Sequence, residues 1–163
     1  MVKAGGACME DGLDGAHILV PVDGSEASFG AIRFAGEIAS LMNGVVDFLY
    51  VSPFDESTDE GDVAWLPESI AGSAVQRGQE IFTKAAAMLP HHIPYRTYQR
   101  VGGTASEIIR FANEHQNALI VIGRRKSSRV SGFLLGSVVQ TIIERAQTRV
   151  IVVGYNDLCK DNF

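Results

Sequence analysis

Apolar positions in this chain fall into two kinds of run that take turns. Short continuous runs occur at Ile18 to Val22, Val45 to Val51, Leu119 to Ile122 and Val150 to Val153, and Tyr95 to Val101 alternates apolar with polar. A run with no polar side is what a strand covered on both faces looks like, so these segments predict strands of a parallel sheet. Between them the apolar period lengthens to that of a helix. Ala31, Ile32, Ala35, Ile38, Ala39 and Met42 share one face of a helix over Ala27 to Met42, with Ser25 as its N-cap and Asn43-Gly44 as its stop. A second helix is expected over Pro67 to Leu89, on Ile70, Ala74, Ile81, Ala85 and Met88, although Gly72 and Gly78 weaken the pattern. A third runs from Thr104 to His115, and a fourth begins near Gly136-Ser137, with Leu135, Val138, Ile142 and Ala146 inward. Five strands alternating with four helices predict an α/β fold: a single open five-stranded parallel sheet with right-handed crossovers and helices on both faces.

Residues 1–15 and 155–163 lie outside this pattern and read as tails, which leaves 16–154 as one folded domain. Residues 52 to 66 carry Pro53 and the acidic set Asp55, Glu56, Asp59, Glu60 and Asp62, and form either a long binding loop or a solvated connector, with Trp65 as the aromatic in it that could dock on something. The 163 residues are 46% hydrophobic and 20% charged, enough apolar content for one core. A formal net charge of -5 argues against a general nucleic-acid binder, since such domains carry a basic excess. No stretch approaches the ~18 apolar residues of a membrane span, and no signal-peptide core opens the chain, so a cytoplasmic protein is expected. Cys8 and Cys159 sit in the two tails, without the spacing of a metal site or a disulfide framework.

The segment after the fourth strand carries the candidate chemistry. It starts at Gly123, holds Arg124, Arg125, Lys126 and Arg129, and reaches the expected helix at Gly136-Ser137. A helix N-terminus presents unpaired backbone N–H groups and the positive end of the macrodipole, which suits a phosphate. The alternative is plainer: Gly123 ends a strand, Ser137 caps a helix, and the basic residues are solvated. If the first and fourth strands are neighbours, Asp23 and Gly123 face one crevice at the carboxyl ends of the strands, where open α/β sheets bind ligands. Neither Gly-x4-Gly-Lys-Ser/Thr nor Gly-x-Gly-x2-Gly is present. His91-His92 reads as surface, His17 as structural and His115 as a partly buried helix-end residue, and no catalytic constellation or metal triad emerges.

The opening VPVDGSE, the segment VGGTASEIIRFANE, and Gly123 followed by Gly136-Ser137-Val138 and RVIVV resemble the universal stress protein family over Ala16 to Val153. In nucleotide-binding members the signature is Gly-x2-Gly-x9-Gly-Ser/Thr; Gly123, Gly136 and Ser137 hold its first, third and fourth positions, and Lys126 replaces the second glycine. The resemblance implies the sheet order 3-2-1-4-5, a homodimer through antiparallel pairing of strand 150–153, and a cytoplasmic, ATP-binding regulator of the stress response. It implies that Pro21, Val22, Asp23 and Val51 border the adenosine. Ile122, Gly123 and Arg125 then lie along ribose and phosphates, and Gly136, Ser137, Val138 and Val139 hold the phosphate tail. Lys126 either strains the loop by a side chain where the family has glycine, or places an ammonium beside the phosphates. Two other readings accompany this one: a nucleotide-free dimer working through protein contacts, and a slow Mg²⁺-dependent ATPase in which Asp23 is the placed carboxylate. The Ser-Gly-Gly-x-Asp-Ser loop of the related ATP pyrophosphatases is missing.

Overall fold

Strands form where the apolar runs are, within about a residue of the expected limits. The computed structural model describes residues 15–52, 68–124 and 135–154, the side chains of 68–73 excepted. Its elements are β1 (His17–Pro21), α1 (Glu26–Leu41), β2 (Val45–Ser52), α2 (Glu68–Met88), β3 (Tyr95–Val101), α3 (Thr104–Glu114), β4 (Leu119–Gly123), α4 (Ser137–Arg145) and β5 (Arg149–Val153). All neighbouring strands pair in parallel, in the order β3-β2-β1-β4-β5. The first and fourth strands are therefore adjacent, with Ile18 opposite Leu119. The acidic segment 53–66 with Trp65, the basic residues Arg125, Lys126 and Arg129, and both cysteines lie outside the described residues.

The period of two along the strands sorts the core into two layers. Ile18, Val20, Phe48, Tyr50 and Val121 face Ala31, Ile32 and Ala35 of α1 and Ile81 and Ala85 of α2. Leu19, Leu49, Val51, Ile120 and Ile122 face Ile108 and Phe111 of α3 and Val139 and Ile142 of α4. This is why the central strands show no polar side: both of their faces are covered.

One detail differs from the pattern-based expectation, and one expected helix forms despite its glycine. Leu135 precedes α4 and is 37% exposed, whereas Val139 and Ile142 are the buried residues of that helix. The helix begins only at Ser137, so Leu135 has no place in its stripe. Gly78, which weakens the expected second helix, lies inside α2, and a Cβ there would come within 2.8 Å of Gln99 Oε1 and 3.0 Å of Tyr50 Cδ1. The glycine is what lets α2 lie down on β2 and β3, and Gln99 Nε2 then donates to the Ala74 carbonyl at 2.9 Å.

At the amino ends of the strands, Asp47 of β2 is 1% exposed and accepts through Oδ2 from His17 Nδ1 and Asn117 Nδ2, both at 2.9 Å. A carboxylate can only accept, so His17 carries its proton on Nδ1 in this bond. His17 is thus structural, as the sequence suggests. His91 and His92 are exposed, and the ring of His115, at the C-cap of α3, stacks on Phe111 with centroids 3.8 Å apart.

Candidate functional site

At the carboxyl ends of the strands, the chain leaves β1 toward the α1–α2 layer and reaches α4 in the opposite layer after β4. A crevice opens between these departures, as expected where strand order reverses. It forms a cleft of about 500 Å³, within the roughly 300–1,000 Å³ usual for small-molecule sites.

One wall comes from the end of β1. Pro21, Val22 and Asp23 line the cleft together with Ser25 and Ser28. Val22 continues the sheet by donating its N–H to the Leu49 carbonyl at 2.9 Å. The Asp23 Oδ1 accepts from the Ser25 N–H at 2.9 Å and from the Ser25 hydroxyl at 2.6 Å. Ser25 also caps α1, its Oγ accepting from the Ser28 N–H at 3.3 Å. One short motif therefore starts a helix and fixes the carboxylate at the mouth of the cleft.

The opposite wall comes from β4 and α4. Ile122 and Gly123 line it, and a Cβ on Gly123 would run into the backbone carbonyl of Ala27. The β4 terminus and the first turn of α1 are packed backbone to backbone there. Beyond the intervening segment, Gly136 is the N-cap of α4 with no side-chain capping bond, and the first backbone return is Gln140 N–H to Gly136 O at 3.0 Å. The N–H groups of Ser137, Val138 and Val139 precede that bond, and all three residues line the cleft. Among the described residues, a Cβ added at Gly136 would meet nothing within 4 Å. An anion placed there would meet the positive end of the helix.

The floor and far side are made by Leu49, Tyr50 and Val51 of β2, Thr104 and Ile108 of α3, and Arg77 of α2. Every described position that the resemblance pointed to lies along this cleft; Arg125 and Lys126 fall outside the described residues. Sequence reasoning missed the site placement of Ser25, Ser28, Leu49, Tyr50, Arg77, Thr104 and Ile108. Ser25 was legible as a cap, and Thr104 as the first residue after Gly102-Gly103, but Arg77 reads only as part of the polar face of α2. Asp23 is the one carboxylate in the described lining, and among the described residues no group of three or more His, Cys, Asp or Glu could hold a metal ion. No helix among the described residues is long and apolar enough to cross a membrane.

Residues 16–154 match the universal stress protein family as a whole. The chain belongs to the universal stress protein family. It is 34% identical over 140 residues to universal stress protein MJ0531 of Methanocaldococcus jannaschii, covering 83% of this chain and 80% of that one. The solved structure of a universal stress protein from Archaeoglobus fulgidus superimposes with a TM-score of 0.68 at 25% identity, over 84% of this chain and 97% of its own. The universal stress protein from Archaeoglobus fulgidus in complex with dAMP gives a TM-score of 0.63 at 23% identity, over 84% of this chain and 96% of that one. The five-stranded parallel sheet and its order are those of a universal stress protein.

Proposed function

We propose that this universal stress protein is a dimeric regulator of the stress response that binds an adenine nucleotide, ATP, in the cleft between β1 and β4. The observation that carries the reading is the α4 terminus: three successive N–H groups at the cleft, no side-chain cap at Gly136, and no described residue within 4 Å of a Cβ placed there. Those features fit a phosphate group. The phosphates would lie on Ser137, Val138 and Val139, the ribose beside Asp23 and Gly123, and the base toward Val51. Arg125 and Lys126, in the segment that joins β4 to α4, would add positive charge along the phosphates. The dAMP complex of the Archaeoglobus fulgidus neighbour supports a nucleotide in this fold. A bound Mg²⁺ would draw most of its ligands from phosphates and water, as is usual for this ion.

Dimerisation is supported by β5. Among the described residues it pairs on one side only, with β4, and its Val150, Ile151 and Val152 are incompletely buried. An apolar edge strand invites a second copy. A chain of 17.6 kDa should then show twice that mass by light scattering.

Calorimetric titration with ATP, with and without Mg²⁺, tests the reading once the protein is shown to carry no nucleotide from purification. One ATP per chain is expected, and Gly136→Glu should abolish binding with the fold intact, because it sets an anion at the helix end. A flat titration of the wild type would leave a nucleotide-free dimer acting through protein contacts.

A further inference from the structure

Arg77 reaches the cleft from α2, a helix that carries no part of the family signature. Its position follows from two contacts that fix the rotation of the helix. Gly78 rests on Tyr50 and Gln99, and Ile81 Cγ1 lies 3.3 Å from where a Cβ of Gly24 would stand. Residues 77 and 81 are four apart and so share a stripe of the helix. Arg77 therefore sits one turn, about 5.4 Å, nearer the N-terminus of α2 than the Gly24 contact. It overhangs the carboxyl ends of β1 and β2 and lines the cleft there. Its side chain is exposed, and among the described residues no hydrogen bond or ion pair holds it.

The location within the cleft matters. β2 and β4 flank β1 on opposite sides, so Arg77 and the α4 terminus stand at opposite ends. A nucleotide with its phosphates on α4 has its base at the β2 end, beside Val51. A guanidinium is planar, weakly hydrated and always charged, and it stacks on aromatic faces. We infer that Arg77 is a specificity-determining residue of this cleft, whose guanidinium closes over the purine base and grips it by cation–π stacking instead of pairing with the phosphates. The inference rests on the nucleotide reading of the cleft and adds to it the residue that holds the base.

Titration of the full chain and of Arg77→Ala and Arg77→Lys with ATP, ADP, AMP and adenosine tests it. Arg77 is exposed, so both variants should keep the wild-type thermal midpoint. Arg77→Ala should weaken all four ligands by the same factor, between roughly 3-fold and 30-fold. Arg77→Lys should recover little of this, because an ammonium lacks the plane. A loss that grows with the number of phosphates and vanishes for adenosine would overturn base stacking and put Arg77 on the phosphates. Unchanged affinity for every ligand in Arg77→Ala would remove Arg77 from recognition while leaving the nucleotide reading standing. Failure of the wild type to bind any of the four would instead end that reading, and this inference with it.

Discussion

A methyl group added at Gly123 would collide with the carbonyl of Ala27, whereas one added at Gly136 would meet none of the described residues within 4 Å. The two glycines hold two positions of the signature named above yet stand in different surroundings, packed backbone in the first case and the N-cap of α4 in the second. Gly123→Ala should force β4 and α1 apart, at a cost of about 3 kcal/mol or more, visible as a lower urea midpoint. Gly136→Ala should change stability by no more than about 1 kcal/mol, the usual difference between glycine and alanine at an N-cap. Gly136 lines the cleft, however, so on the nucleotide reading ATP affinity should fall about tenfold, equivalent to ~1.4 kcal/mol. Equal affinity in Gly136→Ala and wild type would count against a phosphate on α4. The positions of both glycines were legible in the sequence because the spacing from Gly123 to Gly136-Ser137 is a local pattern. The reason for Gly123 was not, since Ala27 lies far away in the chain and only the fold brings it near.

Among the elements, the strands were the most legible, because burial on both faces leaves an uninterrupted apolar run such as Leu119 to Ile122. α2 was less so. Its Gly78 counts against a helix by intrinsic propensity, but the residue sits where α2 touches Tyr50 and Gln99. Tertiary contact here overrides propensity, and a substitution separates the two effects. Gly78→Ala should gain about 1 kcal/mol of helix propensity. It should lose more than this by overpacking against the Tyr50 ring, about 1–3 kcal/mol, and by displacing the Gln99 bond to Ala74, worth about 1 kcal/mol. A net destabilisation of about 1–3 kcal/mol is expected, in chemical denaturation. Gly78→Ala combined with Gln99→Ala should cost less than the sum of the two single changes, since the shortened side chain makes room. A single Gly78→Ala variant more stable than wild type would show that the helix can lift off the sheet freely. The same rotation of α2 that buries Gly78 is what brings Arg77 to the cleft, and no periodicity within the helix could have announced it.

In the molecule as a whole, the candidate site and the buried anchor stand at opposite ends of the sheet. The cleft occupies the carboxyl ends of the strands, while Asp47, His17 and Asn117 tie the amino ends of β1 and β2 to the turn before β4. Asp47 escaped the apolar reading of β2 because one polar residue in a long apolar run barely disturbs the pattern, and its partners lie 30 and 70 residues away. Removing one donor from a carboxylate that is 1% exposed should be expensive. Asn117→Ala deletes a charge-assisted hydrogen bond, worth about 1.5–3 kcal/mol, while the Asn117 N–H keeps its bond to the Ala112 carbonyl at 3.0 Å. Stability should fall by about 2–3 kcal/mol, and ATP affinity measured well below the melting transition should stay within about twofold of wild type, a difference of less than ~0.5 kcal/mol. The two quantities are predicted to separate because the sheet between them is a closely packed solid whose covered strands do not shift to follow one lost bond. Affinity that fell in step with stability would mean that the crevice depends on the register of β1 against β4, and that the anchor at one end sets the width of the site at the other.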